Sequence, residues 1–406
     1  MKLILLLKAV IRPFKYILPF ITDEVVSSIN FETYTNRVLI IRLDAIGDFV
    51  LWLDAAQVVV SHYKALGKRS VLLANANWAD WARELGVFDE VIPLVRRKFS
   101  LNPFYRYRLA LHIRRLGCSI AIQPSYSREY WLGDAIIRMS GAYERIGSIG
   151  DLSNTWRWQK RISDRWYTRL IYADPSPCME LLRNAEFVRG LTGAEFRAKL
   201  PDLRTVIPLQ TDKLFLAEIP AGEYYYVLFP GASWTGKQWP VANYVRMADL
   251  LHKETGWRGV VCGGTSDLKI AEALCSQSSA PLLNWAGYTN LSQLAAVLSG
   301  AAILITNDTS ATHLAAAVGI PVVCIFGGGH FGRFMPYEVE QQDERPLPRA
   351  VFRKMDCFGC NWRCKYSRHN DSAVKCIQDI SVKMVWDEVV GILSVKSGLV
   401  KQDEKA

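Results

Sequence analysis

The chain has 406 residues, half of them hydrophobic, with a mean hydropathy near zero. That is long for one domain and too apolar for wholesale disorder, so the starting expectation is two packed domains. A formal charge of +10 and a pI of about 9.1 favour anionic partners, whether nucleic acid, a membrane surface or phosphorylated substrates. The nine cysteines are an odd number, scattered except near the end, which excludes a simple disulfide scaffold and points to a reducing compartment.

The start, "MKLILLLKAVIRPFKYILPF", is apolar but broken by Lys8, Arg12 and Lys15, which share one helical face. No run reaches the roughly 18 uncharged residues of a membrane span, and no small-residue cleavage site follows. Residues 1–20 read either as an interfacial amphipathic helix drawn to anionic lipid or as a helix packed on the protein itself, kinked at Pro13. Then "RVLIIRL", "SVLLAN", "EVIPL", "SIAIQPS" and "ERIGSI" read as buried strands separated by helical stretches, the first of them "DFVLWLDAAQVVVSHY". Continuous Val/Ile/Leu strands alternating with helices imply a parallel sheet covered on both faces. From about Asp151 to Ala221 the pattern is lost in an aromatic, basic stretch, "NTWRWQKRISDRWYTRL", followed by a helix near "MELLRNAEFVRGL".

The alternation restarts with "YYYVLFPGA", "RGVVCGG", "LLNWAG", "AILITND" and "PVVCIFGGG" as strands, each but the last followed by a helix. The predicted organisation is an N-terminal segment (1–20), a first doubly wound α/β domain with linker (21–205), a second (222–380), and a C-terminal helix and tail (381–406) begun by Ser381 as N-cap. Two such domains facing each other leave a cleft beyond the carboxyl ends of their strands.

Four places carry side chains suited to chemistry. After "AILIT", Asp308, Thr309 and Ser310 cap a helix whose first-turn amides and dipole suit a diphosphate, with His313 as a further donor; an ordinary capped helix is the alternative. In "FPGASWTGKQWP", Ser233 and Thr235 supply hydroxyls and Lys237 a mobile charge; the P-loop spacing is met, but Gln238 stands where the magnesium-binding hydroxyl belongs and Pro240 follows. In "VVCGGTSD", Gly264 lets a nucleotide approach the backbone, and Asp267 either holds ribose hydroxyls or caps the helix. Asp48, in "RLDAIGDFVL", lies at a strand end and helix start, placed either to stabilise that helix or to act as a general base, with Asp44 competing. The lone Gly-x-Gly-x-x-Gly, Gly327-Gly329-Gly332, opens no clear helix and is not a convincing nicotinamide fingerprint.

Taken in order, "RLDAIGDFVL", "PGASWTGKQWP", "CGGTSD", "AGYTNLSQLAAVLSGAAILITNDTSATHLAAAVGIPVVCIFGG" and "CFGCNWRC…KCI" resemble the signatures of the ADP-heptose–lipopolysaccharide heptosyltransferases, glycosyltransferase family nine. The resemblance is strong over residues 37–64 and 224–387 and weak between them. It implies the GT-B architecture, two Rossmann-like domains facing a central cleft. It also implies an inverting transfer that needs no metal cofactor, consistent with the lack of a D-x-D pair. By the same resemblance Asp48 is the base, Lys237 and the Asp308–His313 segment serve the donor, and the donor is a nucleotide sugar, ADP-heptose. The acceptor is an anionic glycan or glycolipid, and the expected location is the cytoplasmic face of a bacterial inner membrane, bound peripherally to anionic lipid. Nucleic acid is not an expected partner, because the basic residues sit in no recognised nucleic-acid motif. The family usually has glycine at Ser310 and proline at Asp54, so the donor could differ. Cys357, Cys360, Cys364 and Cys376 could hold a structural zinc or stand as reduced thiols. The rival readings are a GT-B sugar-nucleotide epimerase or hydrolase, which would want a second acid opposite Asp48, and a non-catalytic nucleotide-binding module.

Overall fold

The structure, a computed structural model, describes residues 17–30, 34–204, 219, 222–368 and 372–403, with side chains described to residue 394 at the C-terminal end. Most of the N-terminal segment expected to be amphipathic, residues 1–16, lies outside the described residues; residues 17–28 are helical. The chain forms two compact units. Unit 1 comprises residues 1–176 and 183–196, and unit 2 comprises residues 177–182 and 197–406.

Unit 1 holds a six-stranded sheet, β1 (Thr35–Arg42), β2 (Arg69–Asn75), β3 (Glu90–Leu94), β4 (Cys118–Gln123), β5 (Glu144–Ser148) and β6 (Arg169–Ile171), in the order β3-β2-β1-β4-β5-β6 with every pairing parallel. The central strands are apolar on both faces because helices cover both; Val38 to Ile41 are buried without a break. The helix Ile46–Ala65 leaves β1 directly and buries Phe49, Trp52 and Ala56. The helix of residues 17–28 is fixed to the Pro103–Arg115 helix by the Asp23 carboxylate, which takes two bonds from the fully buried Arg106 guanidinium, at 2.5 and 2.6 Å.

Unit 2 repeats the plan. β7 (Tyr225–Phe229), β8 (Arg258–Val261), β9 (Leu282–Asn284), β10 (Ile303–Asn307), β11 (Val322–Ile325) and β12 (Arg349–Val351) run parallel in the order β12-β11-β10-β7-β8-β9. Both sheets therefore show the 3-2-1-4-5-6 order of doubly wound nucleotide-binding folds. The expected C-terminal helix, Val382–Asp403, belongs to unit 2 and buries Val385, Val389 and Ile392 in its core; the Ser381 hydroxyl accepts the Met384 N–H at 3.3 Å, the predicted cap. Residues 197–204 also belong to unit 2, where Arg345 donates to the carbonyls of Leu200 and Pro201 and Leu203 N–H to that of Ala317.

Candidate active site

In unit 2 the strand order reverses between β7 and β10, and in open α/β sheets ligands settle beyond the strand ends at such a switch point. The turn there is organised by Asn307, the buried last residue of β10. Its amide donates to the carbonyls of Pro230 (2.7 Å) and Gly231 (3.1 Å), and its oxygen accepts the Trp239 N–H (3.0 Å). Both ends of the loop after β7 are thus tied to the end of β10. The result is an ion pair: Lys237 Nζ lies 2.6 Å from Asp308 Oδ2, with the two side chains only 12% and 8% exposed. Thr309 then caps the helix Ser310–Val318, its hydroxyl accepting the Ala311 N–H at 3.3 Å, and Gly319 ends that helix in the left-handed region at φ 88°. The Ala311 and Thr312 N–H groups are taken by the Thr309 hydroxyl and carbonyl, and the positive end of the helix dipole follows directly on Asp308, the partner of the Lys237 ammonium, a combination suited to an anion. Ser310 is half-buried as the first helical residue.

The structure corrects the expectation of a mobile lysine. Lys237 is held by the Asp308 carboxylate, by the Asp308 carbonyl at 3.4 Å, and by the face of Trp362, whose ring centroid is 4.7 Å away. His313 is fully buried one turn into the helix. Burial lowers its pKa to about 4, so it is neutral at pH 7, and its Nδ1 is 2.6 Å from the Tyr337 hydroxyl. Burial raises the Tyr337 pKa well above the usual value, so the phenol keeps its proton; donation of that proton to Nδ1 leaves the imidazole proton on Nε2. The imidazole is a neutral hydrogen-bonding group, not a cation.

Asp267 works mainly as a clamp. It is buried, and Oδ2 accepts the Gly264 N–H at 2.9 Å. Its carboxylate also fills the space where a side chain at Gly231 would stand, so the glycine lets the turns after β7 and β8 meet. Gly264 is exposed, Ser233 is exposed, and Thr235 opens a short 3-10 turn through Lys237. No long helix starts at Lys237, which sets this loop apart from a P-loop; the helix begins at Val241, after Pro240.

Gly327, Gly328 and Gly329 have a packing explanation. A side chain at Gly328 would overlap Phe358, and one at Gly329 would overlap the Trp362 indole. The turn after β11 is bare so that the rings of the cysteine-rich segment can lie on it. The four cysteines are half-exposed, and Cys376 is close enough to feel the other three electrostatically. Among the described residues no group of three or more His, Cys, Asp or Glu side chains is placed to hold a metal ion, so the structure offers the suggested zinc no ready cage.

In unit 1 the corresponding switch point lies between β1 and β4. Asp48 stands half-buried in the first turn of the helix Ile46–Ala65, and Asp54 is half-buried in that helix. Asp44, its competitor, is committed elsewhere: its carboxylate lies 2.9 Å from the buried Arg42 Nε and accepts the Ser125 hydroxyl at 2.7 Å. The same narrow pocket contains Glu129, whose carboxyl burial pushes up while a two-bond pairing with Arg96 pulls it down. Both carboxylates of this pocket are thus ion-paired.

The comparisons with known proteins bear on unit 2 most directly. Residues 155–350 match the model of glycosyltransferase family 9 (heptosyltransferase). This stretch is therefore similar to family 9 glycosyltransferases. The match takes in Lys237, Asp308 and His313, and leaves Asp48 and the cysteine segment outside its bounds. Lipopolysaccharide heptosyltransferase 2 of Salmonella typhimurium is 34% identical over 103 residues, which cover 24% of this chain and 29% of that protein, so the sequence match spans under a third of the relative. Among solved structures, a family 9 glycosyl transferase from Veillonella parvula superposes with a TM-score of 0.67 at 16% identity, covering 90% of this chain and 99% of its own. The E. coli heptosyltransferase WaaC with ADP-2-deoxy-2-fluoro heptose gives 0.57 at 16% identity, covering 87% and 99%. At those identities the superpositions establish the fold, the GT-B type expected from the sequence.

Sequence reasoning missed Trp362, Tyr337 and the clamping role of Asn307. The available signals were a tryptophan inside the cysteine cluster and three consecutive glycines with no helix to follow.

Proposed function

We propose that this protein is an inverting, metal-independent glycosyltransferase that moves a heptose from ADP-heptose to a lipopolysaccharide-type acceptor. The observation that carries the reading is the Lys237–Asp308 pair at the start of the Ser310–Val318 helix, at the switch point of a unit similar to family 9 glycosyltransferases. A fixed ammonium, the positive end of a helix dipole and a neutral imidazole are what a departing diphosphate requires: electrostatics set in advance and partly shielded from water. Lys237, Thr309, Ser310 and His313 would take the phosphates, with Ser233 and Thr235 in the adjacent loop. Gly264 and Asp267 would meet the nucleoside and Asp308 the sugar. The choice of ADP-heptose is supported by WaaC, which shares this fold and holds a fluorinated ADP-heptose.

Asp48 is assigned the acceptor hydroxyl proton. Asp44 serves Arg42 and Ser125, and Glu129 serves Arg96, so neither is offered as the second acid that a sugar-nucleotide epimerase or hydrolase would want. Peripheral attachment to anionic lipid is part of the proposal. The Pro103–Arg115 helix borders a groove of about 780 Å³ lined by Lys98, Arg108, His112 and Arg115 with Phe104, and no acidic residue lines it. Among the described residues no helix is long and apolar enough to cross a membrane. A screen of nucleotide sugars, ADP-heptose included, for binding and for transfer to a heptose-deficient lipopolysaccharide core tests the reading. Binding of ADP-heptose without transfer to any glycan would favour the non-catalytic module, and hydrolysis or epimerisation without an acceptor would favour the rival enzyme.

A further inference from the structure

The cysteine-rich segment lies outside the family 9 match, yet it delivers an aromatic ring to the lysine of the site. Trp362 is held there at a conformational cost. Asn361 and Trp362, at φ 48° and 59°, are the two non-glycine residues with positive φ among those described, and a bulky side chain seldom adopts that region. The surroundings fix it in place. Asn361 N–H donates to the Gly329 carbonyl at 2.9 Å, and the glycine turn after β11 leaves room for the indole. The indole N–H donates to His330 Nδ1 at 3.2 Å, and the His330 proton, thereby placed on Nε2, goes to Asn361 Oδ1 at 2.7 Å. This closed circuit fixes the plane of the ring whose centroid is 4.7 Å from Lys237 Nζ, and Trp234 meets the same ring edge-on at 5.9 Å. A packing role alone would not require a strained backbone to present an aromatic face to the site's lysine.

We propose that Trp362 is a positioning residue for Lys237, a fixed aromatic seat that keeps the ammonium in place while its anionic partner changes from the Asp308 carboxylate to the phosphates of a nucleotide diphosphate. The proposal rests on the donor-site reading above. In the free protein Lys237 has a carboxylate partner and a ring partner; a diphosphate competes with the carboxylate for the charge, whereas the ring, uncharged, does not. A face-on cation–π contact of this kind is sequence-tolerant among aromatics, so phenylalanine should substitute where alanine cannot.

The test is calorimetric titration of the full chain with ADP, using Trp362→Ala, Trp362→Phe, Lys237→Met and the Lys237→Met/Trp362→Ala double variant. Trp362→Ala should weaken ADP binding about 5- to 30-fold, and Trp362→Phe less than about threefold. In the Lys237→Met background, Trp362→Ala should change the affinity by less than about twofold, because the ring acts through the ammonium. Full additivity of the two losses, or equal losses for Phe and Ala, would overturn the proposal. If the wild-type protein does not bind ADP, the donor assignment fails, and the seat is read directly instead. With isotope-labelled lysine, one ε-methylene resonance should be shifted upfield by the ring and should be lost in both Lys237→Met and Trp362→Ala. A lysine spectrum unchanged by Trp362→Ala overturns the proposal without reference to any ligand.

Discussion

Replacing Lys237 with methionine keeps an aliphatic stem and removes the charge, which separates two roles that one residue plays. The first is structural. Lys237 and Asp308 are 12% and 8% exposed and 2.6 Å apart, so removing the ammonium leaves a nearly buried carboxylate without its counter-charge. Breaking such a pair typically costs about 3–5 kcal/mol, and the adjacent helix start, worth roughly 0.3–1 kcal/mol to a carboxylate, places the expected loss at the low end, about 3 kcal/mol. The second role is in binding: losing one charge-assisted contact to phosphate should weaken ADP binding about 10- to 100-fold. The two roles separate in the Lys237→Met/Asp308→Asn double variant, where no buried charge is stranded. Stability, followed by urea denaturation, should return to within about 1 kcal/mol of wild type, while ADP affinity measured by calorimetry should stay low. Recovery of both in the double variant, or no loss of stability in the single one, would refute the claim that a single ammonium balances Asp308 and serves the phosphates.

Asp48→Asn should leave the fold and ADP binding intact and slow turnover by about 100-fold or more, the scale of a lost general base; normal turnover in a steady-state transfer assay would remove Asp48 from the mechanism. His313 loses its proton near pH 4 when folded, against 6.5 when unfolded, so between these values the unfolded chain binds the extra proton and stability falls as pH drops through that window. The full gap corresponds to about 3 kcal/mol, and His313→Gln should flatten this part of the stability–pH curve measured by denaturant melts. The protein should sediment with anionic but not neutral liposomes, less so at high salt; Arg108→Glu/Arg115→Glu should abolish this, since each basic residue near such a surface contributes about 1 kcal/mol. Sedimentation unchanged by the charge reversal would move the contact elsewhere.

Most of the ten strands that the sequence announces, such as β1, β2, β7 and β10, carry the apolar run that a helix-covered parallel sheet demands. The two it hides, β6 and β12, are three residues each, start with arginine, and lie at the sheet edges, paired on one side only. Nothing in an Arg-Leu-Ile triplet after an aromatic, basic stretch distinguishes a strand from a loop. The site divides in the same way. Lys237, Asp308 and His313 were legible one by one because each follows a strand or opens a helix, which is local information. Their relations were not: the ion pair depends on Asn307 tying two loops together, and the tautomer of His313 depends on Tyr337, twenty-four residues on. Local spacing also misled. The glycines around Gly329 match part of a nucleotide fingerprint, yet they serve to seat Trp362 and Phe358, which enter the chain some thirty residues later.

The two units share one topology, and their switch points carry opposite chemistry. At that of unit 1, Asp44 and Glu129 are balanced by Arg42 and Arg96, and Asp48 adds a further negative charge in the first turn of the helix that leaves β1. A carboxylate at that position occupies the positive end of the helix dipole, where a diphosphate would otherwise bind, and would repel it. At that of unit 2, Lys237 offsets Asp308, His313 stays neutral, and the first turn of the Ser310–Val318 helix carries no acidic residue, so no carboxylate in that turn opposes an anion. Strand order alone would allow either unit to hold the phosphates. In the function proposed above, the charge on the first helical turn favours the second for the phosphates, and the first, with Asp48 in place, is proposed for a substrate that gives up a proton.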